Sequence, residues 1–146
     1  MLVGLEDQGI GIRRCKHEDV GAVLGLWSAA RSSHANTADR REDIEALLQD
    51  SPAALLVAEE NGLVVGAVIA GWDGWRGNIY RLAINPEYRR RGIGLQLLRA
   101  AETYLRDCGI GRVTALVAFD DAVAAAFWDA AGYPQDAEIG RRVRNV

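Results

Sequence analysis

The sequence has two cysteines, one lysine and no apolar run as long as a membrane-spanning helix. Cys15 and Cys108 stand far apart and outside any paired Cys/His pattern, so we expect two ordinary thiols and no metal site. The longest apolar stretches, residues 53–58 and 63–70, fall far short of the roughly 20 residues that a membrane span requires. The N-terminus lacks a basic region followed by an apolar core, so the predicted location is cytoplasmic, with no signal peptide and no membrane partner.

Charge is unevenly distributed along the chain. The net charge is −3, and arginine outnumbers lysine 16 to 1, Lys16 being the single lysine. Basic residues concentrate at 89–91 and 141–144, but the acidic total and the lack of interleaved aromatic residues argue against nucleic acid as a partner. The arginine and alanine content suggests a GC-rich bacterial genome. A chain of 146 residues fits a single domain, which we predict to span 1–146.

Apolar periodicity predicts the elements of the first half. Residues 10–15 form a short strand, and Asp19 is the expected N-cap of a helix that runs to about residue 30. Thr37 or Asp39 caps a second helix, whose apolar positions are Ile44, Leu47 and Leu48. Residues 54–58 and 63–70 form a hairpin, because Asn61-Gly62 between them is the strongest short hairpin signal.

The second half continues the alternation of strands and helices. We predict strands at 78–84, 112–117 and 138–143 and helices at 92–108 and 122–131, the latter ended by Gly132. The inward-facing positions predicted for the helix at 92–108 are Leu95, Leu98, Ala100, Ala101 and Leu105. Strands with interspersed helices predict an α/β or α+β fold around a central sheet.

The segment between the strand at 78–84 and the helix at 92–108 is arginine- and glycine-rich. A glycine-rich turn from a strand into a helix start forms a phosphate-binding site, because the free N–H groups of the first helical turn attract an anion. A dinucleotide fingerprint needs a third glycine where Leu97 stands, and no Gly-Lys-Ser/Thr of a Walker loop occurs in the chain. The remaining pattern is Arg89-x-x-Gly92-x-Gly94.

Together with Asn-Pro-Glu-Tyr before it, this pattern resembles the acetyl-CoA pyrophosphate loop of the GNAT superfamily of N-acetyltransferases. A second family motif, Asn-x-x-Ala-x-x-Phe/Leu-Tyr-x-x-x-Gly-Phe/Tyr, is similar to residues 121–133 without a gap. Ile12-Arg13 followed by Glu18-Asp19 resembles the family's opening, so the resemblance covers nearly the whole chain. The turn at 71–77 looks most like the small bacterial YpeA-type members.

The resemblance implies a central mixed, mostly antiparallel sheet with about four helices. It implies direct transfer of an acetyl group from acetyl-CoA to a primary amine of a small molecule or peptide, by a monomer or homodimer. The donor-binding residues that it implies are Leu82, Ala83, Ile84, Arg89, Arg90, Arg91, Gly92, Ile93, Gly94, Leu95, Asp121, Ala124, Phe127 and Trp128. In this scheme the Ile84 N–H stabilises the thioester oxyanion.

Three departures affect catalysis. Trp128 stands where the family's tyrosine acid is usual, Asp121 where its asparagine is usual, and Arg81 where many relatives have a base glutamate. A thiol of pKa near 8.5 leaves as thiolate at pH 7 at a cost of about 2 kcal/mol, whereas only roughly one alkyl amine in several thousand is neutral there. A base therefore matters more than an acid. The candidate bases are Tyr80, Asp73, Asp120, Glu59 and His34, and Tyr133 is the candidate acid.

Substrate contacts are expected from the parts that vary within the family. The candidates are Trp27, Arg31, Ser33, His34, Asp73, Trp75 and Arg76. For Trp27, core packing is the competing interpretation. Adjacent Ser33 and His34 rarely meet the geometry of a hydrolase triad, and no nucleophile elbow is present. The alternative function is a non-catalytic acetyl-CoA-binding sensor or partner module, which Trp128 and Arg81 motivate.

Overall fold

The computed structural model describes residues 9–30 and 38–146. The strands are β1 Gly11–Arg14, β2 Ala54–Glu60, β3 Leu63–Trp72, β4 Gly77–Ile84 and β5 Val113–Ala115. The helices are α1 Val20–Ala30, α2 Arg41–Asp50, α3 Ile93–Asp107 and α4 Ala122–Ala130, with 3-10 turns at His17–Asp19 and Pro86–Tyr88. The chain forms two compact units, one ending at Leu116 and the other spanning Val117–Val146. The single domain over 1–146 stays a prediction.

The five strands form one sheet in the order β1-β2-β3-β4-β5. The first three pairings are antiparallel, and β4 pairs with β5 in parallel. Asn61 and Gly62 both have positive φ, at 51° and 81°, which is the conformation that a two-residue hairpin turn requires. The predicted hairpin and the mixed, mostly antiparallel sheet with four helices are confirmed.

Helices cover both faces of the sheet in the first unit. On one face, Val23 and Trp27 of α1 and Ile44 of α2 pack with Val57 of β2 and Ala67 of β3. On the other face, α3 packs on β3 and β4. The buried side of α3 recurs at helical spacing, with Ile93, Leu97, Leu98, Ala101 and Leu105. Leu95 lies off this stripe and is exposed, so its predicted inward position is wrong.

Asp19 is not the N-cap of α1 but the last residue of the preceding 3-10 turn. Its carboxylate accepts a hydrogen bond from the Lys16 N–H at 2.8 Å and pairs with the Arg13 guanidinium at 2.7 Å. Arg13 pairs in addition with Glu59 of β2 at 2.6 Å. Asp19 is buried, and the bonds from Arg13 lower the pKa of its carboxyl group. The network joins β1, the turn and β2.

Two further predictions need correction. The expected cap Asp39 pairs with Arg81 instead, and α2 begins after Arg40, whose side chain makes no capping bond; the other expected cap, Thr37, lies outside the described residues. Residues 138–143 form no strand. They are exposed, and no strand of the described chain pairs with them. The alternating sequence pattern is not sufficient here, because a strand requires a neighbouring strand to bond with.

The structure also bears on membrane-spanning helices, metal-binding groups and the two cysteines. None of the helices in the described ranges is long and apolar enough to cross a membrane. Over residues 9–30 and 38–146, no three His, Cys, Asp or Glu side chains form a group that would hold a metal ion. Both thiols are free, and burial raises the pKa of Cys15 to about 11.

We expect Asp19→Asn to lower the free energy of unfolding at pH 7 by about 1–2 kcal/mol, because Arg13 loses one charged partner and keeps Glu59. The folded-state pKa of Asp19 is depressed, so its contribution is present above the unfolded value of about 4 and is lost as the pH falls through the folded value. Urea denaturation of both proteins at pH 7 and at pH 3 measures this. A difference between them that is the same at both pH values would contradict the assignment.

Candidate functional site

A bulge interrupts β4 at its centre. The register against β3 shifts between Ala67 and Ile69, so that Arg81 and Leu82 of β4 lie opposite a single residue of β3. Arg81 has a φ of 54°, in the left-handed region that residues other than glycine rarely adopt. A bulge bends its strand and increases the local twist. β4 therefore changes direction between Tyr80 and Ala83.

Two side chains hold Arg81 in this conformation. The indole Nε1 of Trp27 donates a hydrogen bond to the Arg81 carbonyl oxygen at 2.9 Å, and Nε of Arg81 donates to Oδ1 of Asp39 at 2.7 Å. Trp27 is only 4% exposed, so its ring belongs to the core and its N–H supports the bulge. We therefore remove Trp27 from the expected substrate contacts.

Beyond the bulge, one edge of β4 is open. β5 pairs with residues 77–79 only, and no strand of the described ranges pairs with this edge over residues 80–84. The Asn85 N–H donates to the Val65 carbonyl at 2.8 Å, which fixes the antiparallel phase and directs the backbone of Ile84 away from β3. Leu82 shares that direction, since backbone groups alternate along a strand. Ala83 is buried and bonds to β3 through its backbone.

The open edge leads into the loop between β4 and α3. Oδ1 of Asn85 accepts a hydrogen bond from the Glu87 N–H at 2.9 Å and so caps the 3-10 turn. Arg90 and Gly92 then adopt left-handed φ values of 64° and 77°. Gly92 is the N-cap of α3, a position where any other residue type would be strained.

The first turn of α3 offers unpaired backbone amides. In the described structure, the N–H groups of residues 91–95 donate no hydrogen bond, and the first helical bond runs from Gln96 to the Gly92 carbonyl at 3.1 Å. α3 is 15 residues long, so its dipole adds to the positive potential at this end. Amides of this kind bind phosphate groups in other proteins. The predicted loop residues Arg91, Gly92, Ile93, Gly94 and Leu95 thus lie together.

The three loop arginines have different surroundings. The Arg91 guanidinium pairs with both carboxylate oxygens of Glu60, at 2.6 and 3.3 Å, and lies 5.2 Å from the centre of the Tyr88 ring. The hydrogen bond from Arg91 lowers the pKa of Glu60. Arg89 and Arg90 are exposed and form no ion pair within the described ranges. The structure therefore gives Arg91 a tethering role and leaves Arg89 and Arg90 available to an anion.

The second unit contains the remaining residues of the second sequence motif. Oδ1 of Asp121 accepts the Ala124 N–H at 2.9 Å, which explains why aspartate serves at a position that needs only an N-cap acceptor. Trp128 makes edge-to-face contacts with Phe127 and Tyr133, with ring centres 5.4 and 5.0 Å apart. The roles of Asp121, Ala124, Phe127 and Trp128 in donor binding, and of Tyr133 as an acid, stay predictions.

Two of the candidate bases have structural partners. Oδ1 of Asp73 accepts the N–H groups of Trp75 and Arg76, both at 2.8 Å, and these bonds lower the pKa of Asp73. A carboxylate with a lowered pKa is a weak base, so we no longer assign proton abstraction to Asp73. Glu59 is occupied by its ion pair with Arg13. Tyr80 is 44% exposed, and its hydroxyl has no hydrogen-bond partner in the described structure.

The other expected substrate contacts are distributed differently. Trp75 is 81% exposed, and Arg76 is exposed beside it. Arg31, Ser33 and His34 lie outside the described residues, so their roles stay predictions. Sequence reasoning missed the pairing of Asp39 with Arg81 and of Glu60 with Arg91, because the two partners of each pair are distant along the chain. The capping of the 3-10 turn by Asn85 could have been predicted, because an Asn-Pro dipeptide favours the start of a turn.

With this geometry in view, comparison with known proteins decides the family. Residues 21–133 match the family model described as the acetyltransferase (GNAT) family. The chain belongs to the GNAT acetyltransferase family. This GNAT protein is accordingly an acyl-CoA-dependent N-acyltransferase, with acetyl-CoA as its donor.

Solved structures share the fold of this GNAT protein at low identity. AAC(6')-Iy, solved in complex with the bisubstrate analogue CoA-S-monomethyl-acetylneamine, has a TM-score of 0.78 and 19% identity, covering 94% of this chain and 99% of that one. AAC(6')-Ih from Acinetobacter baumannii has a TM-score of 0.78 and 17% identity over 94% and 99% of the two chains. Glucosamine-6-phosphate N-acetyltransferase from Arabidopsis thaliana has 0.73 and 12% over 94% and 98%.

The different surroundings of the loop arginines lead to a testable difference. We expect Arg89→Gln to weaken acetyl-CoA binding about tenfold, because one charged hydrogen bond to phosphate is lost, and to reduce its salt dependence. Glu60→Gln leaves both phosphate-facing arginines in place and should change affinity less than about threefold, as for an exposed ion pair. Calorimetric titration at two salt concentrations measures both. Equal losses in the two variants would show that Arg89 is not a phosphate ligand.

Proposed function

We propose that this GNAT protein transfers the acetyl group of acetyl-CoA directly to a primary amine, without a covalent acyl-enzyme. The observation that carries the proposal is the continuity of the open β4 edge with the unpaired amides of α3. One extended ligand can pair along the strand edge and place a diphosphate in the loop without any change in the backbone.

Each part of the proposed donor site has a separate task. The amides of residues 91–95 hold the pyrophosphate, and Arg89 and Arg90 add charge. Leu82 and Ile84 pair through their backbone with the pantetheine arm as an added strand would. The Ile84 N–H is aimed at the open edge, where it stabilises the oxygen of the thioester as negative charge develops. Donor-binding roles for Asp121 and for Ala124, Phe127 and Trp128 of α4 rest on the family resemblance alone.

The proposed chemistry depends on position more than on an acid. The amine nitrogen forms a bond to the carbonyl carbon, the carbon–sulfur bond breaks, and sulfur leaves as a thiolate, which a thiol pKa near 8.5 makes accessible at pH 7. The nitrogen gives up one proton as it attacks: the Tyr80 oxygen takes this proton while the Tyr80 O–H proton passes to a water molecule, so that the tyrosine stays neutral. No acid at Trp128 is needed for this route.

A non-catalytic acetyl-CoA binder is the second candidate. It is favoured by the Arg81–Asp39 pair, which places a neutralised cation where relatives have a base, and by Trp128, whose indole is no useful acid. Thiol release separates the two functions, because only an enzyme turns over.

The finer predictions belong to this proposal. They are the YpeA-type subgroup, a cytoplasmic location, a bacterial source and a monomer or homodimer. Because two proteins of this fold are named for aminoglycoside acetylation, we include an aminoglycoside in the panel of acceptor amines.

We expect saturating acetyl-CoA to stabilise the protein by about 2.7 kcal/mol at 100 times its dissociation constant, which is a shift of several degrees in a thermal melt. ATP and NAD at the same concentration should give much smaller shifts. Gly92→Trp and Gly94→Trp place a bulky side chain in the loop and should abolish the acetyl-CoA shift, while Gly140→Trp, in the exposed C-terminal segment, is the matched control. Retained affinity in both loop variants would overturn the site.

Catalysis is tested by thiol release with acetyl-CoA and a panel of n-butylamine, 1,4-diaminobutane, a lysine peptide and kanamycin. Turnover with any member, with no acetyl adduct on the protein by mass spectrometry, is the expected result. Selective acetyl-CoA binding without turnover across the panel would favour the non-catalytic binder.

A further inference from the structure

A cavity of about 270 Å³ lies on the α2 side of the sheet, beside the bulge of β4. Its apolar wall includes Leu47 of α2 and Ile69 of β3. Two aromatic residues, Trp72 at the end of β3 and Tyr80 of β4, also line it. The Tyr80 ring is seated on Gly71, where a Cβ atom would come within 2.7 Å of the ring carbon Cε2. Gly71 therefore fixes the position of this wall.

The side chains of Asp73, Asn78 and Tyr80 form the polar lining of the cavity, and each of them has an oxygen that can accept a hydrogen bond. Asp73 uses Oδ1 for the turn amides, and no hydrogen bond of the described structure occupies its Oδ2. Asn78 and the Tyr80 hydroxyl likewise have no side-chain partner there. No basic side chain of the described ranges lines the cavity. The exposed Arg76 forms no ion pair with Asp73, but its positive charge is near enough to contribute to the lowered pKa of that carboxyl group. Such a lining is suited to an alkylammonium group, because the carboxylate and the aromatic rings attract the ammonium and the apolar wall contacts the alkyl chain.

The cavity and the proposed donor edge are adjacent along one strand. Tyr80 lines the cavity and directly precedes the bulge, while Leu82 and Ile84 beyond the bulge present the open edge. An acceptor in the cavity thus extends toward the thioester at the bulge. The part of the acceptor that the cavity binds is then distinct from the amine that reacts.

We infer that the acceptor of this enzyme carries a second ammonium group, which the cavity binds between the Asp73 carboxylate and the rings of Trp72 and Tyr80. This inference rests on the proposed function, because it assumes that the bulge is where acetyl transfer takes place. Linear diamines and amino sugars both supply such a group. The charge of Asp73 disfavours an acceptor whose distal end carries a carboxylate or a phosphate.

The test compares thiol-release kinetics for 1,4-diaminobutane and n-butylamine, which differ only in the distal amine. We expect kcat/KM to be at least about tenfold higher for the diamine, the effect of one charged hydrogen bond. Asp73→Asn keeps an oxygen for the turn amides and removes the charge, so the ratio of diamine to monoamine should fall to about one. Trp72→Leu should lower the same ratio, and Asp107→Asn, an exposed carboxylate at the end of α3, should preserve it.

Kanamycin in place of the diamine distinguishes the sources of the second ammonium group. The quantity compared is kcat/KM for each polyamine divided by kcat/KM for n-butylamine. If Asp73→Asn lowers this ratio for kanamycin alone, the site binds an amino sugar; if it lowers the ratio for 1,4-diaminobutane, the site binds a linear diamine. Equal kcat/KM for the monoamine and both polyamines, or ratios that survive in Asp73→Asn and Trp72→Leu, would overturn the inference while acetyl transfer stands. Absence of turnover with every amine would overturn the proposed function and this inference together.

Discussion

The hydrogen bond from the Trp27 indole to the Arg81 carbonyl is the interaction on which the site depends. It connects the core of α1 to a residue of β4 that holds a left-handed conformation, which costs of order 1–2 kcal/mol for a side-chain-bearing residue. Asp39 reinforces it from the approach to α2. Because the bulge turns β4 here, the strand stays paired with β3 on one side and loses β5 on the other. The accessible backbone at Leu82 and Ile84 follows from that separation.

The loop before α3 depends on a second long-range interaction. Its two left-handed residues, Arg90 and Gly92, direct successive amides to one place, and the Arg91–Glu60 pair fastens the loop to the end of β2. Arg91 of the predicted phosphate loop is thus paired with a carboxylate of the protein itself. Charge within the loop is divided between holding the backbone and attracting an anion.

Local signals made the hairpin, α3 and the loop predictable from sequence, since the determinants of each lie within a few residues. Asn61-Gly62 specifies its turn by backbone conformation alone, and the glycines before α3 lie beside the amides that they expose. The bulge at Arg81 was not predictable, because Trp27 and Asp39 are far away in sequence. The burial of Asp19, the pairing of Glu60 with Arg91 and the missing strand at 138–143 likewise depend on partners, or on their absence, elsewhere in the described fold. The bonds that Asp73 accepts are local by contrast, since they come from the N–H groups of Trp75 and Arg76.

The open edge of β4 also has a consequence for the protein in its unliganded form. An unpaired strand edge is a template on which another extended chain can add, which is the usual start of edge-to-edge aggregation. Here the exposed stretch is short, a bulge twists it, and the arginine-rich loop charges its end. A bound ligand that pairs with this edge would occupy its backbone N–H and C=O groups and so prevent a foreign strand from adding there. The solubility of the protein would then depend on how much of its donor the cell supplies.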